Sequence, residues 1–201
     1  MAAKSSAKKK KSAPAKPLRE RAVVAALDLA ARMPWDMVTL TDIADKAHAS
    51  LAELCEVFED KTDILAAYGR MVDKQVLENV GAADPSVSER DRLFEILMER
   101  FDVMEEHKDA LASILKSLTV DPKQAVIGLP HLGRSMNWMF EAAGLSASGI
   151  KGAIKIAGLT ALYLYVLKVW LRDETADLSK TMAALDKSLG RAERAVNSFM
   201  L

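Results

Sequence analysis

The chain has 201 residues, and 28 Lys plus Arg balance 28 Asp plus Glu, so the formal net charge is zero. That excludes a uniformly basic or acidic protein, and the single cysteine, Cys55, excludes an intrachain disulfide framework. Half of the residues are hydrophobic, while Gly totals only 9 and Pro 6, which favours helices over a barrel or sandwich.

Charge is unevenly placed. Residues 1–17 carry Lys4, Lys8, Lys9, Lys10, Lys11 and Lys16 and no acid, so the remainder is net negative. This Lys/Ala/Ser/Pro tail cannot bury enough apolar surface to fold. No apolar stretch follows its lysines, so it does not read as a secretory signal. Helical spacing then runs almost throughout, and no segment alternates with period two. A first helix is predicted over 18–33 and ends before Pro34, because proline disfavours helical geometry in the residue ahead of it. Thr39-Leu40-Thr41-Asp42 opens a short second helix with Ile43, Ala44 and Ala47 on its apolar side. Ser50-Leu51-Ala52-Glu53 is a full capping box and opens a third short helix ending at Val57. Asp60 caps a long fourth helix to about Val80, and Gly81 begins a break. Further helices are predicted over 87–105, 108–118, 123–143 (with Gly144 as its C-cap), 147–172 and 178–199.

The last two helices carry the clearest pattern. Leu178, Met182, Leu185, Leu189, Ala192, Val196 and Phe199 form a heptad stripe. The preceding helix has one stripe at Ile150, Ile154, Ala157, Ala161 and Leu164 and another at Ile156, Leu159, Tyr163, Val166 and Trp170. A helix apolar on two faces must be covered on both. The expectation is a homodimer closed by a four-helix bundle across a twofold axis, with Leu178, Met182, Leu185, Leu189 and Val196 in the interface. A monomer burying both stripes internally is the alternative. The longest apolar run, 156–167, is bracketed by Lys155 and Lys168 and falls short of the roughly 20 residues of a bilayer span, so no integral membrane segment is expected.

Two short helices joined by a tight turn and followed by a long helix suggest a helix-turn-helix. Residues 21–65 resemble the DNA-binding head of TetR-family transcriptional regulators. The resemblance rests on Thr39-Leu40-Thr41-Asp42-Ile43-Ala44, on Ala47-His48-Ala49-Ser50-Leu51-Ala52-Glu53-Leu54-Cys55-Glu56-Val57-Phe58, and on Lys61 with Ile64-Leu65. It departs from the family pattern at four places. His48 and Ala52 stand where glycines are usual, Cys55 replaces a tyrosine, and Pro34 replaces the glycine before the aromatic Trp35. The resemblance implies an all-α, TetR-like fold: a three-helix helix-turn-helix head at 18–65 and a helical ligand-binding and dimerisation body at 66–201. It implies that Thr39 and Lys61 hold phosphates, that Ser50 caps the recognition helix, and that Leu51, Ala52, Glu53, Cys55 and Glu56 face the major groove of double-stranded DNA. The expected protein is then a cytoplasmic, ligand-responsive transcriptional repressor and not an enzyme. The sequence also has no glycine-rich phosphate loop, zinc spacing or Gly-x-Ser-x-Gly elbow. No cofactor or metal is implied.

The charge of that unit opposes DNA. Between Val38 and Lys61 lie Asp42, Asp45, Glu53, Glu56, Glu59 and Asp60 against Lys46 and Lys61. Affinity for a polyanion comes mainly from Lys and Arg releasing counterions. The recognition helix has none of the Arg, Lys, Asn or Gln that usually read bases, although Glu can accept from cytosine and Leu51 or Ala52 can meet thymine methyls. Lys8, Lys9, Lys10 and Lys11 are expected to supply the missing phosphate contacts as a basic arm.

In the body, a family-type pocket for a small apolar effector would be lined by Leu97, Met98, Phe101, Met104, Met136, Trp138, Met139, Phe140 and Tyr163, with His131, Arg134 and Asn137 as nearby polar groups. A looser resemblance runs through 138–193, on Ala143-Gly144, Leu167, Trp170, Asp173, Asp177, Thr181, Leu185-Asp186 and Glu193. It is to the lipid-binding coenzyme Q biosynthesis accessory family, which has a TetR-type fold. It would imply a lipid- or quinone-intermediate-binding protein without specific DNA binding.

Overall fold

The computed structural model describes residues 16–199 apart from 83 and 121. Among them the chain is helical throughout: α1 (Leu18–Ala30), a 3-10 turn (Trp35–Met37), α2 (Leu40–Lys46), α3 (Leu51–Val57), α4 (Lys61–Val80), α5 (Glu89–Glu105), α6 (Lys108–Val120), α7 (Pro122–Ala142), α8 (Gly149–Trp170) and α9 (Ser179–Phe199). The all-helical expectation holds, and most ends fall where local capping places them. Thr39 and Asp42, and Ser50 and Glu53, each form a reciprocal capping box. The Asp60 side chain accepts from the Asp63 N–H at 2.8 Å and starts α4. Gly81 and Gly144 take φ of 61° and 84°, left-handed backbone that glycine adopts freely, and stop α4 and α7.

Three short helices pack on one another and on the start of α4, around Trp35, Ile43, Leu54 and Ile64, all almost wholly buried. Helix α6 lies against α1, where Ser113 Oγ donates to the Met33 carbonyl at 3.2 Å. Helix α4 then runs on to pack against α5 and α7. The second centre of the core is aromatic: Phe101 stacks on Tyr163 at 5.3 Å between ring centroids and tilts against Trp170 at 5.7 Å.

Two expectations need correction. Helix α9 begins at Ser179, because Leu178 has φ of 51° and lies outside the helix. Its heptad stripe is not an open interface: Leu178, Leu185 and Leu189 are buried within this one chain, on the side where α9 packs against α8 and α5. Met182 stays 37% exposed and Val196 half-buried. A heptad repeat specifies a covered face and says nothing of which helix covers it. Helix α8 divides as its two stripes predict. Leu159, Tyr163, Val166 and Trp170 point into the core, while Ile150 and Ile154 are 83% and 67% exposed. By length and composition alone α8 could cross a bilayer, with mean hydropathy 1.5, more than the shorter run 156–167 implied. Its inward stripe nonetheless belongs to the core of this fold.

Candidate nucleic-acid interface and effector cavity

The turn between α2 and α3 is closed by His48 at φ of 53°, with the Ala49 N–H donating to the Ala44 carbonyl at 3.0 Å. His is among the residues that tolerate this backbone, so the missing glycine does not break the turn. Ser50 then caps α3, its hydroxyl accepting from the Glu53 N–H at 3.2 Å. The Glu53 carboxylate accepts from the Ser50 N–H and hydroxyl, both at 2.8 Å. Those bonds, the backbone one first, hold its pKa below the usual glutamate value. Only Leu54 of α3 is buried, and it anchors the helix to the head. Leu51, Ala52, Glu53, Cys55 and Glu56 are all exposed on its outer side, and Thr39 is exposed at the start of α2.

Lys61 is placed differently from its expected role. Its ammonium donates to the carbonyls of Trp35 and Val38, both at 2.7 Å, and sits 4.4 Å over the Trp35 ring centroid. Burial lowers its pKa, with Asp36 offsetting part of that. It therefore ties α4 to the turn before α2, and two of its three donors are unavailable to a phosphate. Other cations around α3 are committed too. Lys46 pairs with Asp28 at 3.2 Å, Arg19 donates to the Val57 carbonyl at 2.9 Å, and Arg21 to the Ala47 carbonyl at 3.1 Å. The exposed face of the unit is thus acidic and apolar. Lys8, Lys9, Lys10 and Lys11 lie outside the described residues.

In the body, a cavity of about 630 Å³ opens between α4, α6, α7 and α8. Of the residues expected to line it, Met104, Trp138 and Tyr163 do, with Trp138 59% exposed. Leu97, Phe101, Met136, Met139 and Phe140 are instead buried core, and Met98 packs half-buried against that core. Helical spacing marks an inward face, and most of an inward face meets other side chains, not a hole. The wall is mainly aliphatic, including Leu65, Leu111, Ile114, Leu115, Leu132 and Leu167. His131 and Arg134 border it, the Arg134 guanidinium lying 3.0 Å from His131 Nδ1.

The polar part of the cavity wall was not foreseen. Asp73 and Arg100 form a buried ion pair, Ser135 Oγ donates to Asp73 at 2.6 Å, and Arg100 Nε donates to the Tyr163 hydroxyl at 3.1 Å. Burial raises the Tyr163 pKa and Arg100 only partly offsets it, so that hydroxyl stays protonated and donates to Met104 Sδ at 3.6 Å. Tyr68, 8% exposed, meets His107 edge to face, and its hydroxyl has no hydrogen-bond partner among the described residues. The available signal was a charge on an apolar stripe: Arg100 falls in register with Leu93, Ile96, Leu97 and Met104.

No protein-family model and no curated protein matches this chain. Solved structures do match its fold. A TetR transcriptional regulator from Nitrosomonas europaea superposes with a TM-score of 0.69 at 24% identity, covering 89% of this chain and 99% of that one. A TetR transcriptional regulator from Rhodococcus sp. gives a TM-score of 0.64 at 16% identity, covering 87% of this chain and 95% of that one. The Thermus thermophilus repressor FadR, of the TetR family and solved with lauroyl-CoA, gives a TM-score of 0.55 at 20% identity, covering 91% and 95%. The fold is therefore TetR-like. The resemblance to the coenzyme Q accessory family gains no support from these structures.

Proposed function

We propose that the chain is a homodimeric, ligand-responsive DNA-binding regulator that acts as a repressor in the cytoplasm. The observation that carries this reading is α3: a short helix capped at Ser50, anchored by Leu54 and held out by a tight turn so that its whole outer face is free. Residues 18–65 would form the DNA-reading head and 66–201 the effector-binding and dimerising body. On the recognition face, Leu51 and Ala52 would contact thymine methyls, and Cys55 and Glu56 would lie along the base edges. Because the nearby cations are committed internally, the phosphates would be held mostly by the lysines of the tail. Dimerisation would use the outward stripe of α8, Ile150, Ile154, Ala157 and Ala161, because an exposed apolar face of that length calls for cover.

A small apolar effector would occupy the cavity; the Thermus thermophilus neighbour of the same fold was solved with lauroyl-CoA, whose acyl chain is apolar though its CoA head is not. One helix connects the two sites. Thr62, Leu65, Gly69 and Asp73 of α4 border the cavity, while Lys61 at its start grips the head. An effector that binds one arrangement of α4 better than another shifts the position of the heads. A second reading is favoured by one observation, the acidic face of the head with its cations tied down. It is a lipid-binding protein of TetR-like fold that does not bind DNA specifically.

Fluorescence anisotropy of the full chain on duplexes from upstream of its own gene, across a salt series and with excess unrelated duplex, decides between them. Binding that survives the competitor is expected. Binding lost to the competitor would overturn the regulator reading in favour of the second, and extraction of the purified protein for bound lipid would follow.

A further inference from the structure

The charges that border the cavity run against those of the chain. Outside the tail the chain is net negative, yet among the described residues the cavity is bordered by Arg70, Arg100, Arg134 and Lys168 against a single carboxylate, Asp73. Arg100 is buried and satisfied by Asp73 and Tyr163. The other three come from α4, α7 and α8, and all are exposed, so they stand at the mouth and not in the apolar interior. Arg70 has a distant carboxylate, Asp63, at 3.9 Å, and Arg134 lies beside His131. An aliphatic hole bordered by three exposed cations from three helices has the makings of a two-part site. The same wall holds the Tyr68 hydroxyl, buried and without a partner among the described residues.

We propose that this cavity selects an acidic amphiphile, an apolar chain lying among the leucines with an anionic head group held at the mouth by Arg70, Arg134 and Lys168. The inference rests on the effector-cavity reading and narrows it from apolar ligands in general to those ending in a carboxylate or a phosphate. Charges at the mouth remain in contact with water, so they bias affinity and do not dominate it. The apolar wall supplies most of the binding, and the head group sets the choice among ligands of equal chain length.

The test is calorimetric titration of the full chain with decanoate, decyl phosphate and decanol, each kept below its aggregation limit. At least one anion should bind roughly tenfold tighter than the alcohol, and the stronger of the two identifies the head group. The double variant Arg134→Gln/Lys168→Gln, at exposed positions, should remove most of that anion's advantage over decanol and leave decanol unchanged. Added salt should weaken the anion and spare the alcohol. Equal affinity for decanol and both anions, or an unchanged anion affinity in the double variant, would overturn the proposal while leaving an apolar effector cavity in place. Binding of none of the three would remove the effector reading and this proposal together.

Discussion

Asp173 shows how one buried carboxylate decides local geometry. It accepts from the Thr175 N–H and hydroxyl through one oxygen and from the Thr181 N–H and hydroxyl, both at 2.8 Å, through the other. Burial alone would raise its pKa. The threonine hydroxyls and N–H groups outweigh that and hold the carboxyl well below the usual carboxylate range. This network fixes the turn in which Leu178 is held left-handed. Asp173→Ala leaves the buried Thr181 donors unpaired and should cost roughly 2–3 kcal/mol in denaturant unfolding. Because the folded pKa is depressed, the stabilisation is present above the ordinary value near 3.8 and lost as pH falls below it. The variant should therefore lose less stability than the parent between pH 4 and pH 2.5. Equal losses would show that another carboxylate controls acid unfolding.

Helix boundaries were legible where the signal is local. The capping boxes at Thr39 and Ser50 span three residues, and both form as the sequence predicts. The turn at His48 was legible for the same reason. What pairs over distance was not. The carbonyls that hold Lys61 belong to Trp35 and Val38, more than twenty positions upstream, and nothing in the sequence around Lys61 names them. The cavity wall failed similarly, since Asp73, Arg100 and Ser135 meet only once α4, α5 and α7 pack. The placement of Lys61 has a measurable consequence. Lys61→Ala should lower unfolding stability by roughly 1–2 kcal/mol, through two carbonyls that lose a charged donor, and leave the salt dependence of DNA affinity unchanged. Unchanged melting with a slope reduced by about one would return Lys61 to a phosphate.

For the whole molecule, the fold was legible because the helical periodicity, the length and the head motif all pointed to one architecture, and the matching solved structures have it. The two C-terminal apolar patterns part ways within the chain: Ile150 and Ile154 on the outer stripe of α8 are exposed, whereas Leu178, Leu185 and Leu189 of the heptad stripe are buried. The proposed DNA binding would depend on charge kept away from the outer face of α3. Removing residues 1–17 takes away six lysines, so DNA affinity should fall and its salt slope flatten by roughly one unit for each phosphate no longer neutralised. An unchanged slope in the same anisotropy series would show that the tail takes no part.

Helix α4 is an unbroken rod of 20 residues, about 30 Å long. Pivoted at its Val80 end, a tilt of about 10° would swing the Lys61 end, beside the head and the cavity, by about 5 Å, a simple lever-arm estimate on that length. Successive major grooves on one side of a duplex lie about 34 Å apart, and two such levers moving in opposite senses would change the span between paired heads by a sizeable share of that distance. A ligand-sized displacement among leucines would in this way be geared up to the pitch of DNA.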